Sequence, residues 1–279
     1  MEFSFFIKFL IGAFFLFLMG FINCHSIKTY AVTQDFIVVL KMMLCLSLIL
    51  TGAYTFLSEQ AIEVDMGFQN TTLELANLPF VLYTGLYAYD GAATITGALE
   101  EIENPDRTVL RSLITGHVII SASYFFLNLS FLSVLTPTEI VSSNAVAQIF
   151  TDKLFGPRVA FFVSVCVSLS TVGGNLANIF YSARLGYAAA KEGHMLQFLC
   201  YIHKTRLTPT PAVIFQVTLS MVFFLIGKKT ENLVNAYSFV LWVFYGFTMA
   251  ALMILRVKKP DAHRPFKPKS RKIWKNGWM

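Results

Sequence analysis

An all-α membrane protein with seven transmembrane helices is the fold class this sequence predicts, and three observations predict it. Of the 279 residues, 56% are hydrophobic and only 14% are charged, against about 25% charged in soluble domains. The mean hydropathy is +0.61, and Phe alone occurs 28 times. Long stretches carry no charge: Val159 to Ala183, Asn232 to Leu255, and Ser112 to Pro137, broken only by His117. Water would demand far more polar surface than this chain has. Runs of about 20 apolar residues suit the hydrocarbon thickness of a bilayer instead.

In chain order the spans cover 3–22, 35–57, 76–98, 113–135, 159–182, 211–227 and 233–255. Lys8 interrupts the first, Lys41 the second and Asp90 the third, whereas the fifth and seventh are uncharged throughout. The sixth is the shortest, and Pro209 and Pro211 supply its start, because proline's fixed φ suits a first helical turn. Connections are short and carry turn residues, such as Glu103-Asn-Pro105 and Thr136-Pro-Thr138. A single transmembrane domain is expected over 1–267, followed by a short basic tail at 268–279. Glu2 precedes the first apolar run and no small-residue cleavage site follows it, so no signal peptide is expected.

Lys and Arg orient the helices, because cytoplasmic loops carry the excess. Alternate connections hold sixteen basic residues on one side, nine of them from Arg256 onward, and five on the other. The C-terminus is therefore expected in the cytoplasm and the N-terminus outside. The net charge of +6 is accounted for by this bias and calls for no nucleic acid. Asn70-Thr71-Thr72 is a glycosylation sequon in the expected outer loop, and Asn128-Leu129-Ser130 is another inside a span, where it should stay unused. Cys24 and Cys200 fall on the cytoplasmic side and Cys45 and Cys166 within spans. None has metal-ligand spacing and no disulfide framework is implied.

Few residues could carry chemistry. Asp90 lies in Gly85-Leu-Tyr-Ala-Tyr-Asp-Gly91, alone among uncharged residues from Leu75 to Leu99. A charge at mid-membrane costs about 2.5–3.5 kcal/mol on insertion scales and marks function by default. Glycines on both sides allow a broken helix, and transporters place such breaks at the bilayer midplane, where freed backbone groups bind substrate. Helix packing, with Asp90 bonded to a neighbouring helix, is the plainer alternative. Lys41 is the second anomaly. It is either a side chain that snorkels to the interface or an ammonium standing in for a bound sodium ion. Ser168, Ser170, Thr171, Gly173, Gly174 and Asn175 form a small, polar stretch in the fifth span, fit for close helix packing or for a polar substrate path. Phe239 and Trp242 in the last span fit bundle packing or a pocket wall. The five histidines make no HExxH or Cys–His arrangement, no Ser sits in a GxSxG turn and no phosphate loop occurs. Neither an enzyme nor a metal or organic cofactor is expected.

Several motifs carry a resemblance. Gly85-Leu-Tyr-Ala-Tyr-Asp-Gly91 with Leu99-Glu-Glu-Ile-Glu-Asn-Pro105 resembles the sixth helix of the light chains of heteromeric amino-acid transporters, in the APC superfamily. Ser182-Ala-Arg-Leu185, Lys191-Glu-Gly-His-Met195, Leu207-Thr-Pro-Thr-Pro211 and Pro260-Asp-Ala-His-Arg-Pro-Phe-Lys267 follow in family order. The nearest likeness is to members that carry dibasic amino acids and cystine, or to aromatic-preferring relatives. The resemblance implies a LeuT-type inverted-repeat bundle, of which the seven spans correspond to family helices 4 to 10. Family helices 1 to 3, the last two helices, and the outer-loop Cys that joins a single-span glycoprotein heavy chain have no counterpart here, as in a chain truncated at both ends.

By the same resemblance, the gate aromatic falls on Tyr87 and the unwound substrate-binding backbone on Ala88, Tyr89 and Asp90, flanked by Gly85 and Gly91. The sodium-substituting Lys falls on Lys41, and Ser170, Phe239 and Trp242 are added, from their own positions in the spans, as expected substrate-site residues. In dibasic carriers an acid at the place of Asp90 faces cationic side chains. Leu241 replaces the Arg of the cystine/glutamate member, and Ala92-Ala93 replaces the usual Trp-Asn. The expected activity is sodium-independent transport or exchange of L-amino acids, cationic and neutral or aromatic, at the plasma membrane, with the heavy chain as partner. A truncated form that does not transport and only binds a partner subunit is one alternative. A seven-helix receptor is another, although Asp106-Arg107 here follows Pro105 in a loop and the last span has no proline.

Overall fold

The computed structural model describes residues 5–58, 102–143, 145–226 and 230–262, and between the first two blocks residues 78, 85, 89, 91, 94, 95, 97 and 99. The described residues form eight α-helices and no strand. These are α1 (Phe5–His25), α2 (Ile27–Leu57), α3 (Pro105–Leu132), α4 (Pro137–Ser142), α5 (Val146–Phe155), α6 (Pro157–Lys191), α7 (Thr210–Ile226) and α8 (Thr230–Lys258). A 3₁₀ turn at Gln197–Cys200 separates α6 from α7. Four stretches are long and apolar enough to cross a membrane: Ile27–Leu57, Pro105–Leu132, Pro157–Lys191 and Tyr237–Lys258; Phe9–His25 and Thr210–Ile226 are shorter apolar helices. Most of the expected third span, 76–98, and the tail from residue 263 lie outside the described residues, as does the Asn70 sequon.

Local chemistry explains the boundaries. Ser26 caps α2, its hydroxyl accepting from the Thr29 amide, so the helix starts at Ile27 and not near residue 35 as hydropathy alone suggests. The stretch 136–158, read from sequence as turns and loop, holds α4 and α5. Thr136 opens α4 with a reciprocal capping box to Glu139, and Pro137 occupies the first turn; this satisfies amide donors that a short helix would otherwise leave open. Gly156 ends α5 at φ +80° and Pro157 starts α6 directly after it.

Two clusters make the core. Met19, Leu176, Ile179, Ala183, Leu199 and Val213 join α1, α6, the 3₁₀ turn and α7. Leu48, Val134, Leu135 and Phe150 join α2, the end of α3 and α5. Helix directions follow from paired contacts. Along α2 and α6, Tyr30 stacks on Phe180 at 4.0 Å and Ile37 meets Gly173, so later residues of α2 meet earlier ones of α6. They are antiparallel. Along α2 and α3, the Ser130 hydroxyl donates to the Ile49 carbonyl and the Thr55 and Ser133 hydroxyls share a hydrogen bond of 3.1 Å. Here both numbers rise together, so α2 and α3 are parallel. Close approach at this seam requires Gly52, because a Cβ there would stand 2.5 Å from the Ser130 Cα.

Candidate functional site

The register of α2 against α6 places the first candidate. Ile37 packs on Gly173. One turn further along α2 is Lys41, on the same side as Ile37 by the i, i+4 rule; the matching turn back along α6 carries Leu169 and Ser170. Lys41 and the polar stretch of the fifth expected span thus share one level of the α2–α6 seam. Lys41 is exposed and Ser170 half-buried. Because α2 begins at Ile27, Lys41 lies about 20 Å along it at 1.5 Å per residue. Ser168 and Thr171 spend their hydroxyls on the carbonyls of Ser164 and Val167.

The second candidate is a turn. Gly91 adopts φ +134°, a conformation open to glycine and strained for other residues. The Thr94 amide donates to the Gly91 carbonyl at 3.0 Å, and Gly85 before the turn is helical. The Tyr89 ring meets α3 twice. It lies nearly parallel to His117, centroids 6.4 Å apart, and edge-on to Tyr124 at 5.9 Å. Cys45 lies one helical turn beyond Lys41 on the same side of α2.

Other expected site residues stand differently. Tyr87, Ala88 and Asp90 lie outside the described residues. Phe239 is 67% exposed, and Trp242 makes its ring contact with Tyr245 of its own helix at 5.5 Å. His117 and Tyr124 were not singled out from sequence as site residues. Their seven-residue spacing within one helix, two turns on one face, is the signal that could have found them. A separate cavity of about 360 Å³ lies beside Gly97, Tyr181, Arg184, Tyr187 and Leu207, where the Arg184 guanidinium sits 3.3 Å above the Phe180 ring. Among the described residues no three His, Cys, Asp or Glu side chains come together as a metal would need.

Comparison with known proteins gives these residues a context. The amino acid permease family profile matches residues 4–278. The chain is 33% identical over 246 residues to the b(0,+)-type amino acid transporter 1 of Oryctolagus cuniculus, covering 88% of this chain and 50% of that protein. It is likewise 33% identical over 246 residues to the human cystine/glutamate transporter, covering 88% and 49%. The large neutral amino acids transporter small subunit 2 of Rattus norvegicus is 32% identical over 263 residues, 92% of this chain and 49% of that one. The chain spans about half the length of the curated relatives it matches. A family match over nearly every residue, together with the long apolar helices, makes this a multi-pass membrane protein. The chain belongs to the amino acid permease family, and the motifs by which it resembles transporter light chains lie within the region it shares with these relatives.

Proposed function

We propose that the chain is the substrate-binding part of a sodium-independent amino-acid exchanger, a carrier and not an enzyme. The observation that carries this reading is the turn at Tyr89–Gly91, which interrupts an apolar stretch beside α3 and holds Asp90 between its two described residues in sequence. An interrupted span frees backbone donors and acceptors that an intact helix would spend on itself, and these can meet a zwitterionic substrate. Asp90 supplies a counter-charge for a cationic side chain, which favours cationic and neutral L-amino acids, with aromatic ones next. Relatives named as amino acid transporters support amino acids as the substrate class. Lys41, level with Ser170, holds the place of a sodium ion. The arrangement is a LeuT-type bundle in which the seven expected spans correspond to family helices 4 to 10. The C-terminus faces the cytoplasm of a plasma-membrane protein, and a single-span heavy chain is the partner.

Exchange in liposomes tests the reading. The purified chain, preloaded with unlabelled L-arginine, should take up labelled L-arginine and L-leucine faster than empty vesicles do, equally with and without sodium, and should leave L-glutamate outside. Correctly folded protein that gives no uptake above protein-free vesicles would overturn it.

A further inference from the structure

Tyr89 is seated on a shelf. His117 and Tyr124 stand two turns apart on one face of α3, and the Tyr89 ring rests across both, nearly parallel to the imidazole and edge-on to the phenol. The shelf itself is held in place. The His117 Nδ1–H donates to the Leu113 carbonyl at 2.9 Å, which restrains the imidazole. Tyr89 remains 39% exposed, so the ring is seated without being enclosed. On the far side of the turn, Gly97 presses on α6, where an added Cβ would stand 3.0 Å from the Tyr181 ring. Between these two anchors lies Gly91 at φ +134°.

We infer that His117 and Tyr124 are positioning residues, seating the Tyr89 ring on α3 and so setting where the turn at Gly91 stands in the bundle. The consequence for substrate rests on the exchanger reading: the backbone that would bind an amino acid is located by aromatic contacts with α3. Aromatic pairs are worth about 0.5–1.5 kcal/mol beyond their buried area, so each lost ring should weaken substrate binding about two- to tenfold.

The test places 3-fluorotyrosine at position 89 of the full chain in lipid nanodiscs. Its fluorine resonance and the affinity for L-arginine are followed in His117→Leu, Tyr124→Leu, His117→Phe and Tyr124→Phe, with helix content checked by circular dichroism. Tyr124→Met replaces the Leu variant if helix content falls. The Leu variants should shift the resonance and weaken L-arginine binding within the stated range. The Phe variants, which keep a ring, should restore both. A resonance unmoved by Leu at either position would overturn the inference, as would a moved resonance with unchanged affinity. If the wild-type chain binds no L-arginine, the exchanger reading fails, and the fluorine resonance alone decides whether the shelf seats the turn.

Discussion

Lys41 lies about 20 Å along α2 from its start at Ile27, level with Ser170 of α6. An ammonium there is expected to act as a fixed cation for the α2–α6 seam. Lys41→Ala should lose exchange or begin to respond to sodium, and Lys41→Arg should rescue poorly, because a planar guanidinium does not reproduce a compact ammonium. Initial-rate uptake with and without sodium, normalised to reconstituted protein, distinguishes this from snorkelling, under which Arg would serve as well as Lys. Wild-type rates in both variants would remove Lys41 from the mechanism. For Asp90→Asn the expected loss is selective: L-arginine uptake falls more than L-leucine uptake, by roughly the 1.5–3 kcal/mol of a hydrogen bond to a charged group. Equal loss of both would make Asp90 structural. The sequence pointed to Lys41 and the Gly85–Gly91 stretch because charge and glycine are conspicuous in an apolar run. His117 and Tyr124 stayed hidden, since a ring in a membrane helix looks like any packing residue until its partner is known.

Among elements, the α2–α3 seam depends on the missing side chain of Gly52. An added methyl would meet Ser130 backbone and side chain together, so neither a rotamer change nor a flexible tip can relieve it. Gly52→Ala should destabilise the protein by about 1–3 kcal/mol, as overpacking does, read as a lower thermal midpoint in detergent; an unchanged midpoint would mean that the seam opens freely. Helix α4 makes a pH prediction. Lys153 at 2.8 Å, helped by the Thr136 amide, holds the Glu139 carboxyl down to about 2 from its ordinary 4.5. The folded value lies below the unfolded one, so the contribution is full above about 4.5 and fades as pH falls toward 2. The Glu139 carbon resonance should titrate near 2 in the native protein and move up in Lys153→Met. Hydropathy made the long helices legible, since they are written in runs of apolar residues. It could not show α4 and α5, which rest on a capping box and on Gly156-Pro157, features only a few residues long.

For the whole molecule, the basic loops and tail predict orientation. A tag at Met279 should survive protease added outside intact cells, and impermeant thiol reagents should reach Cys200 only after the membrane is opened. Cleavage of the tag from outside would reverse the assignment. Sequence reading also expected seven spans; four described helices are long and apolar enough to cross a membrane, Phe9–His25 and Thr210–Ile226 are shorter apolar helices, and most of the expected third span lies outside the described residues. The parallel contact of α2 with α3 has a consequence for biogenesis. Thr55 and Ser133, 78 residues apart in the chain, can meet only after the intervening chain has carried the ribosome's product from one end of the bundle back to the other. At about 5–20 residues per second, that is a delay of roughly 4–16 s during which Gly52 and Thr55 face lipid or the insertion machinery without their partners. Helix α2 therefore enters the membrane as an unfinished surface, and a chaperone that shields the small-residue face of a nascent helix would act on this protein in that interval.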